Sequence, residues 1–294
     1  MTPPFPPQTA DLTRQLHAWL AEDLGRGDLT RPALLDREGR ADWIARRDGI
    51  FCGGLLVEPL FRLLDPMARV EGLVADGERV REGQRLLTLV GQASALVAGE
   101  RTALNLAMRL SGVATATAAL VAELEGTGVK LVDTRKTTPG LRLWEKYAVR
   151  CGGGVNHRFG LDDAAMLKEN HLAWSGGIGP AVAAVRASAP WPTKVIVEAE
   201  TEEEARSALR AGADGVLLDG FSPEQLTVLV PVLRRLNADL RRSGAGHTVL
   251  EASGVAPEAL RATAASGVDL ISTSAPVTRA PWLDVSMRFV PLLA

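Results

Sequence analysis

The sequence predicts an α/β fold: a parallel β/α barrel of fewer than eight strands, preceded by a small β-rich domain. Three observations point there. Six apolar, strand-like runs follow one another in the second half of the chain: Lys130 to Asp133, Ala164 to Lys168, Val195 to Glu198, Gly215 to Asp219, Thr248 to Glu251 and Val268 to Ser272. Helix-start signals separate most of them. Thr201 with Glu204 and Ser222-Pro223 with Gln225 read as capping boxes, and Pro257 stands where a first helical turn accepts proline. Finally, each run ends in polar residues: Asp133-Thr-Arg135-Lys136, Lys168-Glu-Asn-His171, Glu198-Ala-Glu200, Asp219, Glu251-Ala-Ser253 and Ser272-Thr-Ser274. Alternating strands and helices make a parallel sheet. In a closed sheet many strand ends converge on one mouth, whereas an open sheet gathers ligands at one switch point, so this many polar ends favour the barrel. The stretch spans about 150 residues, too few for the usual eight units of about 250 residues, so fewer strands are expected.

Taken from the start, Met1 to Pro7 lacks a basic region followed by an apolar run, which reads as a disordered lead-in and not a secretory signal. A first helix is expected from Asp11 to Asp23, with Leu12, Leu16, Trp19 and Leu20 on one face, ended by a loop on Gly25 and Gly27. Short apolar runs between Trp43 and Val97, broken by glycine turns, make the β-rich domain. Within it, Gly77-Glu-Arg-Val-Arg-Glu-Gly-Gln84 looks like a turn of biotinyl and lipoyl carriers, but no lysine stands at a hairpin tip to carry a swinging arm. A long helical pattern from Gly99 to about Leu124 links the two regions.

Composition narrows the function. The chain has 294 residues, 46% hydrophobic and 23% charged, which suits a main domain with a smaller companion and argues against disorder. No uninterrupted apolar run approaches the roughly 20 residues of a membrane span, and a cytoplasmic protein is expected. A net charge of -2 offers no general attraction to nucleic acid or anionic membrane, so basic chemistry must be local. Cys52 and Cys151 have no CxxC spacing and read as buried, inert thiols.

Laid out in this order, several strings resemble the quinolinate phosphoribosyltransferase family, also called nicotinate-nucleotide pyrophosphorylases. They are Asp133-Thr-Arg-Lys-Thr-Thr-Pro-Gly-Leu-Arg142, Glu145-Lys-Tyr-Ala-Val149 and Gly152-Gly-Gly-Val-Asn-His-Arg158. Further matches are Glu22-Asp-Leu-Gly-Arg-Gly-Asp-Leu-Thr30, Glu100-Arg-Thr-Ala-Leu-Asn105, Leu110-Ser-Gly-Val-Ala-Thr115, Leu167-Lys-Glu-Asn-His171 and Leu250-Glu-Ala-Ser-Gly254. The resemblance implies an incomplete (β/α) barrel of about six or seven strands with an N-terminal α/β sandwich domain. It divides the chain into a sandwich at 1–109, completed by 281–294, and a barrel at 110–280. It further implies a homodimer in which each mouth is completed by the neighbour's N-terminal domain. The implied reaction belongs to NAD biosynthesis: quinolinate displaces pyrophosphate from phosphoribosyl pyrophosphate and loses its 2-carboxylate, giving nicotinate mononucleotide, with Mg2+ and no organic cofactor.

Two carboxylates on one substrate and a polyanion as the other call for guanidinium forks and lysines. Arg135, Lys136, His157, Arg158 and Lys168 match the family's positions for substrate binding, and Arg101 matches an arginine that acts in the neighbouring subunit's site. Lys136 and Lys168 join Glu198 and Asp219 as the expected catalytic residues. By the same resemblance Glu198 and Asp219 lie near the ribose and its magnesium, a hard cation that needs one or two carboxylates beside phosphate oxygens. Glu200 is a weaker candidate of that kind. For the 5′-phosphate, Ser253, Gly254, Ser274 and Ala275 stand in the turns of the last two strands, where barrels supply backbone N–H groups. Gly152-Gly153-Gly154 reads either as a close backbone approach to a ligand or as a helix stop with Gly152 as cap. No third Cys or His accompanies His157 and His171, so no zinc site is expected, and His171 is read as structural.

The chain also departs from the family. Val255 replaces a second glycine, Asp219-Gly220 a common Asp-Asn, and Ser274-Ala-Pro-Val-Thr-Arg279 a common Gly-Ala-Leu-Thr-His-Ser. These changes, with Phe221-Ser-Pro-Glu224, lean towards a related family associated with molybdenum-transport operons. Two other readings follow: ribosyl transfer to a different aromatic acid or base, and a non-catalytic sensor of a phosphorylated metabolite.

Overall fold

In the computed structural model, which describes residues 5–7, 11–34 and 37–290, the chain divides into two units. The described residues of 1–118, 138–153 and 279–294 form the first, and 119–137 with 154–278 form the second. Part of the expected lead-in, residues 1–4, lies outside the described residues.

The elements of the first half run α1 (Leu12–Leu24), β1 (Glu38–Ala45), β2 (Gly49–Ile50), α2 (Val57–Arg62), β3 (Arg69–Glu71), β4 (Arg79–Val80), β5 (Arg85–Gln92) and α3 (Ala93–Glu123). There follow β6 (Lys130–Val132), α4 (Arg142–Cys151), β7 (Ala165–Leu167), α5 (Glu169–Ser175), α6 (Ile178–Ser188), β8 (Val195–Ala199), α7 (Glu202–Arg210) and β9 (Gly215–Asp219). The chain continues as α8 (Pro223–Arg242), β10 (Val249–Ser253), α9 (Leu260–Ala264), β11 (Leu270–Ser272), α10 (Ala275–Thr278) and β12 (Val285–Val290).

In the first unit an antiparallel sheet, ordered β12-β1-β5-β3, is built by alternation. Ala41, Trp43 and Ala45 of β1 are buried, and Trp43 lies opposite Leu87 on one side and Met287 on the other. Helix α3 is docked by hydroxyls. Ser111 Oγ accepts the Cys52 N–H at 2.9 Å and donates to the Cys52 carbonyl at 3.0 Å, and Thr115 Oγ1 accepts the Ile50 N–H at 2.8 Å. The Leu110–Thr115 string therefore has a structural use. Among the described residues α3 is the one helix long and apolar enough to cross a membrane, and half of its most apolar window is buried.

Residues 138–153, which the sequence reading placed with the barrel, group with the first unit. The cause is the apolar face of α4, where Trp144, Tyr147 and Ala148 are buried, with the Trp144 indole N–H donating to Gln15 Oε1 at 3.0 Å. Gly152 caps that helix, and a Cβ there would stand 2.4 Å from the Ala114 carbonyl oxygen. Close packing of α4 on α3 thus accounts for this glycine. Both cysteines are buried, as expected, and burial raises the Cys52 thiol pKa well above its ordinary value.

The second unit is a six-stranded parallel sheet, β6-β11-β10-β9-β8-β7, with Val155 bridged to Val132 beside β6. All six expected strands form, in a barrel-like arrangement. One face of each central strand, with Val197, Val216, Leu218, Leu250 and Ala252, packs against the helices in a single apolar cluster. The other face turns inward. Both predicted capping boxes form: Thr201 Oγ1 accepts from the Glu204 N–H, and Ser222 Oγ from the Gln225 N–H. The helices that return the chain to the sheet therefore start at defined points, and the polar residues just past β8 and β9 are fixed relative to each other.

Candidate active site

Parallel register puts the polar strand ends side by side. Ser253 pairs with Asp219, and Glu198, one residue before the end of β8, pairs with Leu217. Carboxylate oxygens of Glu198, Glu200 and Asp219 come within 4.8 Å of one another. Three acids this close repel unless a cation or a shared proton intervenes. Part of that compensation is present: the Lys168 ammonium, at the end of β7, pairs with Glu198 Oε2. Lys168 also opens α5, where its backbone N–H donates to His171 Nδ1 at 3.1 Å. His171 is thus the reciprocal cap of α5, the structural role expected of it.

Asp133, just past β6, is 2% exposed and holds the glycine-rich segment. Its Oδ2 accepts from Asn156 Nδ2 and its Oδ1 from the His157 N–H, both at 2.7 Å. His157 is in turn fixed at both ring nitrogens: Nδ1 accepts the Arg158 N–H at 2.7 Å, and Nε2 lies 3.3 Å from Glu251 Oε2. Nδ1 thus serves as the acceptor, and Nε2 faces a carboxylate oxygen. Arg158 is buried, and Nη1 donates to the Ala164 carbonyl at 2.8 Å. Burial first, then the nearby Arg135 charge, lowers the Arg158 pKa from its ordinary value. Sequence reasoning quoted Asp133 and Glu251 in motifs but gave them no role; their signal was an acid at a strand end beside an apolar run.

Arg135 is half-buried and Lys136 exposed on the loop after β6, where the Lys136 N–H donates to Thr134 Oγ1 at 3.0 Å. In the first unit, Arg101 stands exposed on α3. At the last two strands, Ser253, Ser274 and Ala275 are half-buried, and Gly254 is exposed with φ 73°. Gly220, where Asn is common in the family, has φ 74°, a left-handed conformation that glycine adopts most easily and asparagine next. That departure keeps the turn. Val255 packs on the apolar cluster of the unit.

The fold and these strand ends define a β/α-barrel protein in which a lysine pairs with a carboxylate trio past neighbouring strands. The family model described as quinolinate phosphoribosyl transferase, C-terminal domain, matches residues 113–288, and the corresponding N-terminal domain matches 28–111. The chain belongs to the quinolinate phosphoribosyltransferase family. It is 41% identical over 276 residues to a probable nicotinate-nucleotide pyrophosphorylase [carboxylating] of Synechocystis, covering 94% of this chain and 91% of that one. With the human nicotinate-nucleotide pyrophosphorylase [carboxylating] it shares 35% over 288 residues, 97% of this chain and 93% of the other. Among solved structures, the Francisella tularensis nicotinate-nucleotide pyrophosphorylase superposes with a TM-score of 0.87 at 37% identity, covering 95% and 96% of the two chains.

Proposed function

We propose that this chain joins quinolinate to phosphoribosyl pyrophosphate and releases pyrophosphate and carbon dioxide, leaving nicotinate mononucleotide for NAD biosynthesis. One observation carries the reading: the Lys168–Glu198 pair stands beside Asp219 at the ends of β7, β8 and β9, with His157 and Arg158 in the same unit. Arg135, Arg158 and Lys168 hold the two quinolinate carboxylates, with His157 setting the position of Arg158. Lys136 meets the pyrophosphate. Ser253, Gly254, Ser274 and Ala275 receive the 5′-phosphate through hydroxyls and backbone N–H groups.

Glu198 and Asp219, with Glu200 near, have the hard oxygen donors and the spacing that suit Mg2+, which when bound neutralises charge on the departing pyrophosphate. The same carboxylates stabilise positive charge at the ribose anomeric carbon as its bond to pyrophosphate oxygen breaks. The pyridine nitrogen, aligned behind that carbon, forms the new bond. The C2–carboxylate bond of the resulting pyridinium then breaks, its electron pair stays on C2, and a proton replaces the carbon dioxide. We assign the protein to the cytoplasm as a homodimer, with Arg101 reaching quinolinate in the neighbouring subunit.

The test mixes protein, phosphoribosyl pyrophosphate and Mg2+ with quinolinate or, in parallel, nicotinate. Pyrophosphate and carbon dioxide released in equal amounts with quinolinate alone are expected; silence with quinolinate overturns the reading. Mixing Arg101→Ala with Lys168→Ala protein tests the dimer: some activity should return, because one of the two sites in a mixed dimer would be intact. The altered Ser274 to Arg279 stretch favours a second reading, in which the acceptor is another aromatic acid or base; turnover with such an acceptor and none with quinolinate would establish it.

A further inference from the structure

We propose that His171 is a positioning residue for Lys168, holding its main chain from both sides so that the ammonium stays at Glu198; the inference rests on Lys168 being a group that meets substrate. The ladder between β7 and β8 ends at Leu167 and Val197, so the sheet stops one residue short of Lys168. The first turn of α5 takes over from there. The Lys168 N–H donates to His171 Nδ1 at 3.1 Å, and its carbonyl accepts the His171 N–H at 2.8 Å and the Leu172 N–H at 3.1 Å. His171 thus binds the lysine main chain with its ring and with its own N–H.

Local preference does not explain a lysine at this position. Lys168 is the N-cap of α5, in extended backbone with φ −121° and ψ 170°. N-caps are usually Ser, Thr, Asp or Asn, whose oxygen accepts from the first turn, whereas an ammonium only donates. A helix of seven residues has few bonds of its own to spare. In a capping box the residue three places on returns a bond to the N-cap as Glu or Gln; here an imidazole does so, and it brings no negative charge near the ammonium. A local rule broken at one residue and compensated at another marks a residue kept for function.

The ammonium is not held by its own contact. The Lys168 side chain is 45% exposed and that of Glu198 13%. An ion pair so open to water shifts an equilibrium by at most about fivefold, less than the freedom lost in ordering a lysine side chain. The direction of the ammonium therefore depends on a fixed main chain. Helix α5 is anchored at the same place: the Ser175 hydroxyl donates to the His171 carbonyl at 2.8 Å, and Leu172 packs on the apolar cluster of the unit.

Two variants separate the cap from any other use of the ring. His171→Phe keeps a ring and loses the acceptor; His171→Gln loses the ring and keeps an acceptor where capping boxes carry one. With quinolinate, His171→Phe should lower kcat/KM about fivefold or more, and His171→Gln should stay within about twofold of the unaltered chain. In a Lys168→Ala chain the Phe substitution should change kcat/KM by less than about twofold, since its effect passes through the lysine. Equal losses in the two variants, no loss in His171→Phe, or a loss of full size without Lys168 would each overturn the proposal. Hydrogen exchange of the Lys168 amide needs no substrate. It should quicken about fivefold or more in His171→Phe and not in His171→Gln, and an amide equally slow in both overturns the proposal. Silence of the unaltered chain with quinolinate would sink the proposed reaction and leave the exchange measurement to decide the role of His171.

Discussion

Arg109 Nη2 lies 2.6 Å from Glu145 Oε1, and the Glu145 side chain is wholly removed from solvent. The same carboxylate accepts the Thr138 N–H at 2.8 Å and the Thr138 hydroxyl at 2.7 Å. One buried acid therefore ties α3, α4 and the loop that follows Lys136. Without Arg109 the carboxylate would stay buried with its main countercharge gone. Arg109→Ala should lose about 3–5 kcal/mol in urea unfolding. A loss below about 1 kcal/mol would mean that Glu145 finds water in solution.

Lys168 pairs with Glu198 at the mouth, so its removal acts on both substrate charge and the carboxylate trio. Lys168→Ala should lower kcat/KM about 10²-fold or more. Steady-state kinetics with quinolinate varied at saturating phosphoribosyl pyrophosphate would measure it, and an unchanged value would remove Lys168 from the site.

For Asp219→Asn the trio loses one negative charge while the side chain keeps its shape. The Mg2+ concentration needed for half-maximal rate should rise about tenfold, since a hard cation depends on carboxylate charge. Rates followed across a magnesium titration report it. An unaltered requirement would leave Asp219 with no part in holding the metal.

Gly112 faces the chain at Pro281, where an added Cβ would stand 2.2 Å from the carbonyl oxygen and 3.1 Å from Trp282 Cα. Both are backbone atoms and cannot swing aside. Gly112→Ala should therefore destabilise the first unit by about 2–3 kcal/mol or more, read as a lower thermal unfolding midpoint. A midpoint within a degree of the original would show that the segment at Pro281 and Trp282 can shift at little cost.

Strands and capped helices of the second unit were legible because their signals are local. Thr201 and Glu204 lie three residues apart and cap each other, and the apolar runs end where polarity begins. The grouping of α4 with the first unit was not legible, since Trp144 meets Gln15 from 129 residues away. Candidate residues were legible where charge stood at a strand end, as at Lys168 and Asp219, which the fold brings to Glu198. Asp133 and Glu251 were missed because their importance lies in what they bind, the backbone of His157 and its imidazole, which only the fold brings near.

Asp214, at the amino-terminal rim of the barrel, tests the electrostatics by pH. Burial works against its ionisation but is outweighed: Lys194 Nζ lies 2.8 Å from Oδ1, the Val195 N–H 2.9 Å and Arg186 Nη2 3.0 Å from Oδ2. Its pKa in the folded chain is therefore below 3.8. A carboxyl with a depressed folded pKa stabilises the fold at pH values above its unfolded pKa, and that contribution is lost as pH falls through the folded value. Asp214→Asn should thus cost about 1–3 kcal/mol at pH 6, where one strong acceptor and its charge are gone. Below pH 3.8 the difference between the two proteins should shrink, because the unaltered Asp214 itself takes up a proton there. Urea unfolding of both proteins at pH 6, 4 and 3 separates this effect from the other carboxyls, which titrate alike in each. A stability gap that stays constant down to pH 3 would mean that packing, and not the charge of Asp214, holds the rim.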